Sequence, residues 1–164
     1  MTVLGIDPGI AIVGYALLKV NKDQILTLRY GVIKTQKEEL PGRIKKINSA
    51  LQDIIHEFKP SQASIEKIYF NKNTKTAIDV AEVRGSIILT AMNHNISVFD
   101  YTPLQVKQAI AGYGKASKHQ IQEMVKIILR LKETPCPDDA ADALACALCH
   151  IHSKKFHDLV RNQA

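Results

Sequence analysis

Tryptophan is absent from this 164-residue chain, and all aromatic residues together make up only 5% of it. Any core must therefore be built mainly from aliphatic side chains. Cysteine is scarce too. Cys136, Cys146 and Cys149 are an odd number, which argues against a disulfide framework. Cys146 to His150 spell "CALCH", a C-x-x-C-H pattern of the kind that attaches haem. That chemistry belongs to exported proteins, and the N-terminus has no basic leader and turns acidic at Asp7. The same cysteines lie in a run of small apolar residues and read as core hydrophobes. A second ligand pair at zinc spacing is also missing. No apolar run approaches the ~18 residues that a membrane span needs. No repeat, linker or low-complexity segment divides the chain. These absences point to one cytoplasmic domain over 1–164, with about 153–164 expected to form a loosely ordered tail.

What is present is ordinary globular composition with a positive balance. Lys and Arg number 22 against 16 Asp and Glu, a net +6. That charge suits a polyanion such as nucleic acid. Three apolar segments, "TVLGI", "VGYALLKV" and "QILTLRYGVIKT", are joined by short turns and predict an antiparallel meander. Ile44, Ile47, Leu51, Ile54, Ile55 and Phe58 then recur at steps of three and four, a helix stripe that ends at Lys59-Pro60. "QASIEKIYF" reads as a fourth strand and "ISVFDY" as a fifth. Between them, from Thr76 to about Asn93, lies a helix apolar on most of its faces. Such a helix needs cover on more than one side. Ser117 and Gln120 form a capping box ahead of a further helix, and a last helix opens near Asp138. The class is α/β: a mixed five-stranded sheet, meander first, flanked by helices.

Acidic residues interrupt this apolar pattern at a few places. Asp7 ends the first strand, Glu66 interrupts the fourth, and Asp138, Asp139 and Asp142 open the last helix. Asp142 shares a helix face with either Asp138 or Asp139. If these elements meet, unpaired carboxylates repel by roughly a few kcal/mol per close pair at an effective dielectric of ~20. Divalent Mg²⁺ or Mn²⁺ relieves that repulsion, and two such ions can clamp a phosphoryl displacement.

The basic residues fall around the acids. Six lie between Asp100 and Lys132, and Lys118, Gln122, Lys126 and Arg130 recur every four residues. Gly112 and Gly114 offer backbone to a phosphate in front of the helix N-terminus at Ser117. Lys67, Lys72 and Lys75 flank Tyr69 and Phe70, a mixture suited to exposed bases.

The landmarks "GIDPG", "IEKIYFNKN", Arg84-Gly85, "QVK", "GYGKASK" and "DAADALA" stand in one order along the chain. Together they closely resemble the RuvC-type Holliday junction resolvases as far as about His152. The resemblance implies a ribonuclease H-like fold and metal-dependent resolution of four-way DNA junctions by a homodimer making paired nicks. It carries the catalytic, metal-binding acids onto Asp7, Glu66, Asp139 and Asp142, with two Mg²⁺ per subunit and Mn²⁺ as a substitute. DNA contacts fall on Tyr69 as an aromatic wedge, with Phe70, Lys72, Asn73, Lys107, Lys115 and Lys118. Tyr69 stands where the family usually has Phe, and Ile10, Ala11, Val13 and Ala81 also depart from the common pattern. A branch-migration motor of the RuvA-RuvB type is the implied partner. Asp138, left at the extreme helix N-terminus, is expected to serve the exposed amides there. Two rivals weigh less. An actin-like ATPase needs two such domains, and a junction-binding module without catalysis needs no acids.

Overall fold

Alternation along the first strand decides which side of the sheet each residue serves. In β1 (Thr2–Asp7), Leu4 and Ile6 enter one apolar layer, while Val3 enters the other. Gly5 and Asp7 share the parity of Val3 and so face the second layer. This computed structural model describes residues 1–22, 24–68 and 74–161, with side chains for 1–22, 24–68 and 77–154.

β1 is the middle strand of five. β2 (Ile12–Asn21) and β3 (Gln24–Lys34) follow it as the expected antiparallel meander. β4 (Gln62–Glu66) and β5 (Ser97–Tyr101) add in parallel on the other side, giving the order β3-β2-β1-β4-β5. α1 (Leu40–Phe58) makes the crossover from β3 to β4, and its stripe of Ile47, Leu51, Ile54 and Ile55 packs on Leu4, Ile6 and Leu17. It stops at Lys59, whose left-handed backbone (φ 46°) caps it before Pro60. α2 (Thr74–Asn93) lies on the same face through Val83, Ile87 and Ala91.

Three helices cover the opposite face. α3 (Pro103–Ala111) is an element the sequence reading did not anticipate. Its signal is a capping box: Gln105 N–H donates to Thr102 Oγ1 (3.1 Å), and Thr102 N–H donates to Gln105 Oε1 (2.8 Å), with Pro103 in the first turn. α4 (Lys118–Leu129) carries the expected box, with the Gln120 N–H on Ser117 Oγ at 3.2 Å. α5 (Asp138–Arg161) is the longest and continues past the point at which a tail is expected to begin. Pro137 precedes it, its carbonyl accepting from the Ala140 N–H at 3.0 Å. Among the described residues no helix is long and apolar enough to cross a membrane.

α5 is pressed onto the sheet at backbone distance. A Cβ built on Gly14 would stand 1.9 Å from the Asp139 carbonyl oxygen, and one on Gly5 would stand 2.2 Å from that of Ala143. Both obstacles are backbone, so no rotamer change relieves them. The helix answers with its own small residues, since Ala140, Ala143 and Ala147 are fully buried. Gly5→Ala and Gly14→Ala should therefore each lose about 1–3 kcal/mol or more, the scale of overpacking. Urea denaturation midpoints read this directly. An unchanged midpoint would mean that α5 is free to lift.

Candidate active site

Two polar pairs fix how α5 lies along β4. Gln62 Oε1 is 2.9 Å from His150 Nε2, and Ser64 Oγ donates to Cys146 Sγ at 3.3 Å. Two strand residues advance ~6.6 Å and four helix residues ~6 Å, so the elements keep step in opposite directions. One more step sets Glu66 against Asp142, and both line one cavity of about 230 Å³ with Lys107 and Lys118. On the neighbouring strand Asp7 pairs with Gly14, the residue that touches the Asp139 backbone. Asp7 and Glu66 also line a second cavity of about 280 Å³ with Pro8 and Lys67. Glu66 is the last residue of β4 rather than an interruption within it, and Asp7 is the last of β1. Both carboxylates thus stand where the strands run out, which is where ligands bind in open α/β sheets.

The electrostatics record the crowding. Burial, then the charges of Glu66, Asp142 and Asp139, push the Asp7 carboxyl up to about 8. Burial and Asp142 raise Glu66 as well, against opposing effects of a hydrogen bond with Asp7 and of Lys118 and Lys107. Asp142 is raised by burial although Lys118 Nζ stands 3.0 Å from its Oδ2. For Lys118 the two carboxylates Asp142 and Asp138 outweigh burial, and its ammonium is held above the usual range.

The donor set is carboxylate oxygen only, which suits hard divalent cations such as Mg²⁺ or Mn²⁺. Among the described residues no three His, Cys, Asp or Glu side chains are gathered closely enough to hold an ion as they stand. The carboxylates adjoin without closing a cage, and Lys118 supplies positive charge beside Asp142. That agrees with acids whose ionisation is opposed and which a cation would reconcile. The chemistry of the residues fits such an ion.

Of the DNA contacts expected from the sequence, Lys107 on α3 and Lys118 on α4 border the acids. Lys115 is exposed in the α3–α4 connection. Tyr69, Phe70, Lys72 and Asn73 lie outside the described residues. Gly112 has a structural reason to be glycine, because it caps α3 with φ 82°. The every-fourth-residue stripe on α4 is divided in use: Lys118 and Gln122 both engage Asp138. Neither Asp138 nor Gln122 is expected at the site from the sequence. Cys146 and Cys149 are buried on α5, and burial holds both thiols above their ordinary range, Cys149 at about 11.

A five-stranded mixed sheet with carboxylates at the ends of its first and fourth strands and at the start of its last helix defines a ribonuclease H-like nuclease domain. The family model for "Crossover junction endodeoxyribonuclease RuvC" matches residues 3–150. The chain belongs to this family of metal-dependent endodeoxyribonucleases. RuvC of Finegoldia magna is 53% identical over 157 residues, covering 95% of this chain and 96% of that protein. RuvC of Alkaliphilus metalliredigens is 48% identical, covering 98% and 99%. Among solved structures, Thermus thermophilus RuvC in complex with Holliday junction substrate superposes with a TM-score of 0.90 at 35% identity, covering 96% of each chain.

The raised carboxyl of Asp7 has a consequence for stability. Its folded value lies above the ordinary carboxylate value, so the folded state favours the protonated form. Stability is fully present below the unfolded value of 3.8 and is lost as pH rises towards about 8. In EDTA, Asp7→Asn should melt higher than the wild-type chain at pH 8.5. The gap should shrink towards pH 4, as thermal melts across that range would register.

Proposed function

We propose that this chain resolves four-way DNA junctions, cutting two strands symmetrically as a homodimer in cytoplasmic DNA recombination and repair. The observation that carries the reading is the convergence of Asp7, Glu66, Asp139 and Asp142 at one end of the sheet, with Lys107 and Lys118 on the cavity that Glu66 and Asp142 line. The junction-bound relative of high structural similarity supports the substrate class.

In this reading the four carboxylates hold two Mg²⁺ ions per subunit, with Mn²⁺ able to substitute. The ions supply charge stabilisation for attacking and leaving oxygens in phosphodiester hydrolysis. The remaining work belongs to side chains of this chain. Lys107 and Lys118 bind backbone phosphates, releasing counterions as they do so. Tyr69, Phe70, Lys72, Asn73 and Lys115 belong to the same DNA-facing set, with Tyr69 stacking on a base at the branch point. A branch-migration motor of the RuvA-RuvB type delivers the junction.

Adding Mg²⁺ to a bound four-way junction should release nicked duplexes. Asp7→Asn should abolish cutting while binding survives or tightens, because the phosphate contacts belong to Lys107 and Lys118 and the substitution removes none of them. Gel assays for binding and cleavage separate the two. A folded variant that loses both would contradict the division of labour.

The dimer rests on α2. Its outer face leaves Ile78 58%, Leu89 61% and Met92 56% exposed, while its inner face packs on α1 and the sheet. An isologous pair would cover that face and set two acid clusters on one junction. Sedimentation at micromolar concentration should give a dimer, and Leu89→Lys should give monomers.

A further inference from the structure

The residue between the last loop and the acids, Asp138, is more than a helix-end charge. Its side chain is 63% exposed, against 29% for Asp142 one turn further along α5. Both of its oxygens are engaged. Oδ1 accepts from Gln122 Nε2 at 2.9 Å, and Oδ2 lies 3.3 Å from Lys118 Nζ. Gln122 and Lys118 are four apart on α4 and therefore share one face of it. The same ammonium reaches Asp142 Oδ2 at 3.0 Å. Lys118 is thus divided between an outer carboxylate that is hydrogen-bonded in place and an inner one that belongs to the acid cluster.

We propose that Asp138, fixed by Gln122, is a positioning residue that draws the Lys118 ammonium towards the rim of the site and so limits its competition with a divalent cation for Asp142. The inference rests on the reading of Asp142 as a metal-binding acid. A lysine and a divalent cation on one carboxylate repel each other. Where the ammonium settles therefore sets how strongly Asp142 can bind metal. Lys118 already stands slightly nearer Asp142 (3.0 Å) than Asp138 (3.3 Å), and without Asp138 no second carboxylate holds it back from pairing with Asp142 alone. With Asp138 present the ammonium is shared, and it keeps donor capacity at the cavity that also holds Glu66 and Lys107, where a DNA phosphate would be met.

A double-mutant cycle on Mn²⁺ binding, read by calorimetry on the whole chain without DNA, tests this. Asp138→Asn should weaken Mn²⁺ binding threefold to tenfold when Lys118 is present and change it less than twofold in a Lys118→Ala background. Lys118→Ala alone should tighten binding. Asp138→Glu should restore it to within twofold of the wild-type chain. Gln122→Met removes no charge and should weaken binding in the same direction as Asp138→Asn. An equal loss in both lysine backgrounds would reduce Asp138 to a general charge effect and overturn the proposal, as would no loss at all. A wild-type chain that binds Mn²⁺ while Asp138→Asn binds it equally well sinks this inference alone. A wild-type chain that binds none sinks the metal reading together with it.

Discussion

Everything at the site depends on how closely α5 can approach the sheet. Gly5 and Gly14 leave no side chain between strand and helix, and the helix presents alanines in return. The helix axis therefore runs over β1 and β2 with backbone against backbone. The N-terminal turn of α5 then arrives at the ends of β1 and β4 with its aspartates beside Asp7 and Glu66. A wider separation would leave the same acids on the same elements but out of electrostatic reach of each other. The polar pairs Gln62–His150 and Ser64–Cys146 add the sliding register that proximity alone does not supply. His150 is held twice over, since Tyr101 Oη also lies 2.7 Å from its Nδ1. Buried polar contacts of this kind are costly when broken, so they resist slippage of the helix along the strand.

The arrangement carries an internal cost. Carboxylates gathered in a partly buried place destabilise the folded chain at neutral pH, and the raised Asp7 shows where that cost falls. Lys118 offsets part of it through Asp142, and Asp138 with Gln122 governs how much. Function and stability thus compete at one end of the sheet, while two large apolar layers sustain the fold elsewhere. The layer under α1 is built on Leu, Ile and Val. The layer under α5 adds alanines such as Ala16, Ala143 and Ala147 to its Leu, Ile and Val, because there it must bring backbone close.

Much of this was legible along the chain. Asp7 is legible as an acid at the end of an apolar strand pattern, and Glu66 as an acid within one; that β4 stops at Glu66 is a finding of the structure. The capping box at Ser117 and the stripe on α1 were legible because helix capping and amphipathicity are local. α3 escaped notice because nine residues give too few turns for a clear apolar period, although Thr102 and Gln105 announced its start. Along the chain Asp138 reads as no more than a helix-end charge, because its partners Lys118 and Gln122 sit 20 and 16 residues away, on a different helix.

The sequence by itself determined the elements, the faces they bury and the kinds of side chain offered at their ends, since those follow from local backbone chemistry and hydrophobic period. The resemblance carried by its landmarks extended this to the family. Only the tertiary structure decided which acid meets which, that Lys118 is shared between Asp138 and Asp142, and that Gly5 and Gly14 are contact points for a helix more than 120 residues later in the chain. The physical reason is that charge–charge coupling and steric exclusion depend on distance in space. Spacing along a chain encodes that distance within an element and loses it between elements.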